Sequence, residues 1–292
     1  MSRCLIPAAG RGSRLWPVTR VVPKALLPVG TRPMLQWCLT EALEGGFDEV
    51  AVVVGPGGAL VEAWLADGRW REGLLPAVAG RAREIEIGLV RQERPAGVVD
   101  AVLSHREWAL DGEPFAVLLP DNVRIAGPPP MTAALVAEAA GAGTVLVACH
   151  RVGPETRHAF GNVGRAELER LVPAGARPAV VSLQERGDGS FRAPPEGAWR
   201  LAPRIAVTAA WIEVARAVRA EADDVAVHRR LTESRRLHAV PWTGTLVDAG
   251  HPAGYLYAQH LLHEAAARER DEEDQGLAAH GGPGPGLAHI EL

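Results

Sequence analysis

Short, wholly apolar runs alternate with amphipathic segments along the first half of the chain. Residues 4–9, 49–54 and 115–119 predict buried strands, because strands covered on both faces read as continuous apolar stretches. Residues 33–43 and 98–110 carry the helical spacing of apolar positions. This alternation indicates an α/β fold whose mixed, mainly parallel sheet has helices on both faces. The same patterns predict strands at 84–91 and 144–148 and helices at 58–66 and 132–140.

The pattern is less regular after about residue 150, and we expect a smaller lobe there. Residues 1–270 are predicted to form one domain, with a first half at 1–150 and the lobe at 151–270. The acidic, Gly-rich and Pro-rich segment 271–292 is predicted to be disordered. Predicted elements of the lobe are strands at 161–164, 179–184, 204–210, 237–242 and 245–248, and helices at 212–222, 225–231 and 253–268.

Composition narrows the class of protein. The 292 residues are 47% apolar and 23% charged, which is typical of a soluble globular protein. No apolar run reaches the length of a membrane span, and the first residues do not resemble a secretory signal. The three scattered cysteines indicate neither a disulfide framework nor a metal site, so we expect a reducing cytoplasm. The net charge of -4 argues against a nucleic-acid partner.

Lysine is almost absent from the chain. Lys24 is the one lysine among 31 basic residues, and the rest are arginine. A GC-rich genome explains most of this bias, because it favours arginine codons. Lysine is therefore retained at position 24 although the composition favours arginine, which makes Lys24 a candidate functional residue.

A glycine-rich loop, Gly10-Arg11-Gly12-Ser13-Arg14, follows the first predicted strand. Such a loop can bring backbone N–H groups close to an anion, although an ordinary tight turn is the alternative. The dinucleotide-binding fingerprint needs a third glycine where Leu15 stands, which disfavours a Rossmann oxidoreductase. Asp121 also follows a strand directly, so we expect both segments at the ligand-binding edge of the sheet.

The longer stretch from residue 7 to residue 29 resembles the opening of the sugar-1-phosphate nucleotidyltransferases. It carries Ala-Ala-Gly-Arg-Gly-Ser-Arg, then Pro-Val-Thr, Pro-Lys and Leu-Pro-Val, nearest in spacing to the bacterial UTP–glucose-1-phosphate uridylyltransferases. Ser13 replaces the usual Thr of this family. Residues 114–122, 160–163 and 247–256 resemble the family's later motifs in the same order, and the resemblance covers residues 3–265.

The resemblance implies the Rossmann-like three-layer fold of the nucleotide-diphospho-sugar transferases. It also implies the reaction of the family. A nucleotidyl group passes from a nucleoside triphosphate to a sugar 1-phosphate, and pyrophosphate leaves. Arg14 and Lys24 are implied as catalytic residues, and Asp121 and Asp248 as ligands of Mg²⁺. A helix cap or a turn is the structural alternative for each aspartate.

The same resemblance assigns the substrate-binding residues. Gln92 and Gly97 match the base-binding positions, but Gly97-Val98-Val99-Asp100-Ala101 lacks the second Gly and the His of the uridylyl pattern. On the sugar side, Arg186 stands where the family has Lys. The implied nucleotide-binding residues are Ala8, Ala9, Gly10, Gly12, Ser13, Gln92 and Gly97, and the implied sugar-phosphate-binding residues are Asn122, Gly161, Glu185 and Arg186.

We expect UTP and glucose 1-phosphate as substrates. One alternative is the same chemistry with dTTP or another nucleotide and a different hexose or cyclitol phosphate. A second is a nucleotide-sugar sensor without catalysis, against which the presence of all four charged site residues argues. Members of the family form dimers or tetramers, and the sequence leaves open whether this chain forms a homo-oligomer.

Overall fold

The strands and helices follow the predicted alternation. The computed structural model describes residues 1–74, 76–153, 156, 160, 165–184, 197–219 and 224–279. The strands are β1 Arg3–Pro7, β2 Pro28–Val29, β3 Arg32–Pro33, β4 Glu49–Val54, β5 Glu86–Arg91, β6 Phe115–Leu118, β7 Asn122–Ala126, β8 Val145–Val152, β9 Arg165–Leu168, β10 Val180–Gln184, β11 Ala198–Val207, β12 Leu237–Pro241 and β13 Thr245–Asp248. The α-helices are α1 Met34–Glu44, α2 Ala59–Asp67, α3 Pro76–Ala79, α4 Arg81–Glu84, α5 Val98–Ser104, α6 Arg106–Asp111, α7 Ala133–Ala142, α8 Ala209–Ala217, α9 Asp224–Glu233 and α10 Pro252–Ala279, and short 3-10 helices span Ser13–Leu15, Val18–Arg20, Lys24–Leu26 and Arg69–Arg71.

Nine of the described strands form one mixed sheet with β1 near its centre. Strands β5, β4, β1 and β6 lie side by side and run parallel. Strand β11 is antiparallel to β6 and β8, and β12 is parallel to β8. The carboxyl ends of β1 and β6 therefore meet at one edge, where parallel sheets bind ligands.

Both faces of the sheet are covered, as the continuous apolar runs predicted. Leu5 of β1 packs into one buried cluster, while Cys4 and Ile6 pack into a second cluster on the other face. Helices α5, α6, α8 and α9 supply side chains to the first cluster, and α1, α2 and α7 supply side chains to the second. The helices thus enclose the sheet and leave its strand ends available for a site.

A separate two-stranded sheet forms beside this edge. Strand β7 begins directly after Asp121 and pairs antiparallel with β13, in a register that places Asn122 opposite Asp248. Two segments that are far apart in the sequence are thereby brought together by backbone pairing.

Three element predictions need correction. The helix predicted at 98–110 is two helices, because the His105 side chain accepts a hydrogen bond from the Trp108 backbone and begins α6 anew. The strand predicted at 204–210 ends at Val207, and α8 begins after Thr208.

Helix α10 is longer than the helix predicted at 253–268. Disorder of the segment 271–292 stays a prediction, while the backbone of α10 continues to Ala279. Glutamate, glutamine, leucine and alanine in this stretch are good helix formers, and they extend a helix already begun at Pro252. Residues 161–164 and 280–292 lie outside the described residues. No described helix is both long enough and apolar enough to cross a membrane.

Candidate functional site

The loop after β1 is shaped by Gly12. Its φ is +62°, and a Cβ there would lie 3.0 Å from both the Lys24 Cβ and the Thr19 Cγ2. The Thr19 hydroxyl donates to the Gly12 carbonyl at 2.8 Å. The loop is therefore folded against Lys24, which the sequence pattern alone does not indicate.

The backbone of this loop offers hydrogen-bond donors. Within the described chain, no acceptor is bonded to the backbone N–H groups of residues 10–13. Exposed N–H groups in succession are a common binding surface for anions. The contact of this loop to a triphosphate stays a prediction.

Lys24 and Asp121 form the centre of the site. The Lys24 Nζ donates to the Asp121 Oδ2 at 2.6 Å, and the Asn122 Nδ2 donates to the Oδ1 at 3.1 Å. Burial raises the pKa of Asp121, but the Lys24 charge and these hydrogen bonds outweigh it and lower the pKa to about 2. Asp121 is therefore an ionised carboxylate at neutral pH.

Asp248 reaches the same place from β13. The Ala249 N–H donates to the Asp121 carbonyl at 2.8 Å, and the Gly250 N–H donates to the Asp248 Oδ1 at 3.0 Å. The Arg14 guanidinium lies 3.8 Å from the Asp248 Oδ2 and 4.0 Å from the Asp121 Oδ2. The four charged residues predicted as catalytic or metal-binding are thus brought together.

Gly250 leaves room between the two carboxylates. A Cβ at this position would lie 2.6 Å from the Asp121 Oδ2 and 3.0 Å from the Asp248 Oδ1. The same Cβ would lie 3.0 Å from the Arg14 Nη2. Paired carboxylates suit Mg²⁺, which prefers oxygen ligands and completes its coordination with substrate phosphates. The described residues contain no group of three or more His, Cys, Asp or Glu side chains placed to hold a metal.

A cavity of about 130 Å³ adjoins this cluster. It lies between the loop after β1 and the start of α5, with Lys24 and Asp121 at its wall. Of the predicted nucleotide-binding residues, the ones that line it are Ala8, Ala9, Gly10, Gln92 and Gly97.

Gln92 is held tightly at the cavity wall. The residue is 2% exposed, and its Nε2 donates to the Asp100 Oδ2 at 2.8 Å and to the Gly97 carbonyl at 3.4 Å. Gly97 has a φ of +96°, a conformation that favours glycine. Asp100, where the sequence departs from the uridylyl pattern, is therefore a direct partner of the predicted base-binding residue.

A second set of polar residues lies on the far side of Asp121. The Arg200 Nη2 donates to the Asn122 Oδ1 at 2.8 Å, and its guanidinium stacks on Phe160 with its carbon 4.6 Å from the ring centre. His150 packs edge-on to the same ring. Asn122 is therefore joined to this set, while Gly161, Glu185 and Arg186 lie outside the described residues.

Arg204 anchors the segment that carries Asp121. It donates to both Glu41 carboxylate oxygens, at 2.6 and 2.8 Å, and to the carbonyls of Leu119, at 3.0 Å, and Asn122, at 2.6 Å. Sequence reasoning missed the roles of Asp100, Arg200, Arg204 and Gly250. The signal for the two arginines was their place in β11, an otherwise largely apolar strand.

Comparisons of sequence and of structure identify known proteins that this chain resembles. UTP–glucose-1-phosphate uridylyltransferase of Bacillus subtilis (strain 168) is 26% identical over 285 residues, 94% of this chain and 94% of that protein. The Pseudomonas aeruginosa protein of the same name is 34% identical over 132 residues, 42% of this chain and 47% of its own length. A solved UDP-glucose pyrophosphorylase complexed with UDP-glucose has a TM-score of 0.70 at 22% identity, over 91% of this chain and 99% of that one.

The structural likeness confirms the predicted three-layer fold. The model of the family described as nucleotidyl transferase matches residues 3–190. Because this match spans well over half of the 292 residues, the chain belongs to the nucleotidyl transferase family, as its opening motif predicted.

Proposed function

We propose that the chain transfers the uridylyl group of UTP to glucose 1-phosphate, giving UDP-glucose and pyrophosphate. The observation that carries the proposal is the convergence of Lys24, Arg14, Asp121 and Asp248 beside the cavity lined by Gln92. The names of the two bacterial relatives supply the substrates proposed here.

The reaction needs little acid–base chemistry. A phosphate oxygen of glucose 1-phosphate, already anionic, attacks the α-phosphorus of UTP and forms a new P–O bond. The bond from the α-phosphorus to its bridging oxygen breaks, and its electron pair leaves with pyrophosphate. Bringing two polyanions together is the main barrier, so positioning and charge compensation supply most of the catalysis.

Positive groups at the strand ends meet that need. Lys24 is hydrogen-bonded to Asp121 with one of three ammonium protons, which leaves two for phosphate oxygens. The Arg14 side chain is 51% exposed and lies too far from both aspartates for a hydrogen bond, so its fork can turn to a phosphate. The backbone N–H groups of residues 10–13 complete this anion-binding surface.

We assign Asp121 and Asp248 as the protein ligands of Mg²⁺. The family generally uses a divalent metal, and the space above Gly250 lies between oxygens of both carboxylates. When bound, the ion compensates phosphate charge and polarises the phosphoryl group. The low pKa of Asp121 keeps this carboxylate ready for a cation across the neutral range.

On the sugar side, Asn122 is assigned to the sugar phosphate, and Gly161, Glu185 and Arg186 remain sequence predictions. Asn122 lies directly beside Asp121 and is held by Arg200, so a polar side chain is fixed where the acceptor approaches.

The test is pyrophosphate release with Mg²⁺ and glucose 1-phosphate across UTP, dTTP, CTP, GTP and ATP. We expect UTP to give the highest kcat/KM. Omission of glucose 1-phosphate is the control, because release without it reports hydrolysis rather than transfer.

Other outcomes contradict specific parts of the proposal. A preference for dTTP overturns the assignment of the base and keeps the chemistry. Release with another hexose or cyclitol phosphate, and none with glucose 1-phosphate, overturns the acceptor. Nucleotide-sugar binding with no release from any combination identifies a sensor and overturns catalysis.

A further inference from the structure

The Gln92 side-chain amide is fixed in one orientation by its surroundings. Both groups near its Nε2 are acceptors, the Asp100 carboxylate at 2.8 Å and the Gly97 carbonyl at 3.4 Å. An ionised carboxylate cannot donate a hydrogen bond, so the amide cannot turn over without setting oxygen against oxygen. Asp100 therefore determines which end of the amide remains for a ligand.

The end that remains is the carbonyl oxygen. Within the described chain, no donor is bonded to the Gln92 Oε1, although Gln92 lines the cavity. Asp100 itself is not among the described residues that line the cavity. A base in the cavity thus meets a hydrogen-bond acceptor at this position.

We propose that Asp100 is a positioning residue for base selection, which holds the Gln92 carbonyl toward the base and so favours a base with a ring N–H over one with a ring acceptor. The inference rests on the proposed function, because it concerns the nucleotide substrate of the same site. Uracil and thymine carry a ring N–H at N3, whereas the N3 of cytosine is an acceptor. UTP and CTP share ribose and triphosphate and differ only in the edge of the base, at N3 and at the C4 substituent.

A guanidinium supports Asp100 from the other side. The Arg219 Nη2 donates to the Asp100 Oδ1 at 2.9 Å, which leaves the Oδ2 for Gln92. The Asp100 pKa is lowered, because burial raises it but the hydrogen bonds from Gln92 and Arg219 together outweigh burial. Asp100 also lies in the first turn of α5, where an acid stabilises the helix end. The test must therefore separate selection of the base from helix stability.

The experiment compares kcat/KM for UTP and CTP in the wild type, D100N, Q92A and the double variant. The wild type is expected to prefer UTP. The side-chain amide introduced by D100N can donate as well as accept, so in this variant the Gln92 amide can turn and present its NH₂ to cytosine. The UTP/CTP ratio should then fall roughly tenfold, since a buried acceptor facing an acceptor is costly. The change should appear in KM, with kcat for UTP retained.

Two further comparisons separate the roles. If Asp100 acts through Gln92, adding D100N to Q92A leaves the UTP/CTP ratio unchanged. E107Q removes an acid from the first turn of the neighbouring helix α6 and should leave the ratio at the wild-type value. Should D100N not fold, R219M removes the support of Asp100 at a residue whose side chain is 61% exposed, and a smaller fall in the ratio is expected.

The outcomes distinguish this inference from the proposed function. The role of Asp100 is overturned if the wild type uses CTP as well as UTP. It is also overturned if the UTP/CTP ratio is unchanged in D100N, or in R219M where D100N does not fold. Either result leaves nucleotidyl transfer standing. If the wild type releases no pyrophosphate from any nucleotide, calorimetric titration with UTP and CTP replaces turnover. Preferential binding of UTP that D100N abolishes then supports Asp100 while the proposed function fails, and equal binding overturns both.

Discussion

An arginine and a carboxylate face each other on both sides of the segment that carries Asp121, but the arginine is buried on one side and exposed on the other. On the inner side, Arg204 and Glu41 are each 1% exposed, and their closest atoms are 2.6 Å apart. On the outer side, Arg14 is 51% exposed and stands 3.8 Å from Asp248. The Arg204 guanidinium donates two hydrogen bonds to the Glu41 carboxylate and three to backbone carbonyls, whereas the Arg14 guanidinium still has donors for a ligand.

This difference separates a structural ion pair from a binding group. A buried pair that is fully hydrogen-bonded holds backbone in place, and loss of one partner leaves an uncompensated charge. An exposed arginine next to a cavity can instead form hydrogen bonds with a charged substrate. Substitutions on the inner side should therefore change stability first, and those on the outer side activity first.

The largest effect is expected for Lys24 and Asp121. K24A and D121N should each lower kcat/KM on the order of a thousandfold, because each removes a charge from the reacting phosphates. K24R should restore only part of the activity, since a planar, longer group does not reproduce an ammonium. Steady-state pyrophosphate release measures the loss, and circular dichroism checks the fold.

D111N is the matched control, because Asp111 is an acid that pairs with Arg3 away from the site. Near wild-type turnover in K24A or D121N would contradict the assignment.

The next effect is a loss of stability at Glu41. E41Q leaves the Arg204 guanidinium buried without its counter-charge and should lower the free energy of unfolding by about 3 kcal/mol. E44Q, one turn away on α1 and partnered by the less buried Arg124, should cost less. Urea unfolding compares the two, and equal losses would remove the distinction between the inner pair and its neighbour.

A pH effect is expected from His150. Burial and the nearby Arg200 charge lower its pKa to about 3, against 6.5 in the unfolded chain. Below pH 6.5 the unfolded chain binds a proton that the folded chain does not bind, so stability is full above this pH and falls as pH drops toward 3. At pH 5 the deficit is about 2 kcal/mol.

The free energy of unfolding at pH 7 and pH 5 tests this in the wild type and in H150Q. The variant should lose less stability between the two pH values. H263Q, at an exposed position of α10, should behave like the wild type. An identical decrease in all three proteins would exclude His150 as its source.

The smallest effect is expected at the surface. Arg177 binds Glu138 through two hydrogen bonds of 2.8 and 3.0 Å, but both side chains are roughly a third or more exposed. R177A should cost about 0.5 kcal/mol, because water screens and replaces such a pair. A loss near that of E41Q would show that geometry rather than burial sets the strength of these pairs.

Sequence reasoning predicted the parts of the molecule that depend on local pattern. Apolar runs predicted the central strands, and the glycine-rich loop and Asp121 were placed at one sheet edge because each follows a strand directly. Asp248 was predicted from the family resemblance. Its position opposite Asn122 depends on the pairing of β7 with β13, which the sequences of these two short strands do not predict.

The rest depends on contacts between distant residues. Glu41 and Arg204 lie 163 positions apart, and each alone looks like a surface residue of a helix or strand. Asp100 was noted only as a departure from a pattern, because its partner Gln92 becomes evident when the start of α5 is folded against the strand end. Gly250 was quoted within a motif, but the space it leaves is visible only when both aspartates are in place.

The rarity of lysine has a practical consequence for spectroscopy. Since Lys24 is the one lysine, reductive methylation with ¹³C-formaldehyde can label only this amine and the chain's α-amino group. The Lys24 methyl resonance then reports on the hydrogen-bonded ammonium beside Asp121, without any engineered substitution. Titration of nucleotide, sugar phosphate or Mg²⁺ can be followed through this single signal at the centre of the site.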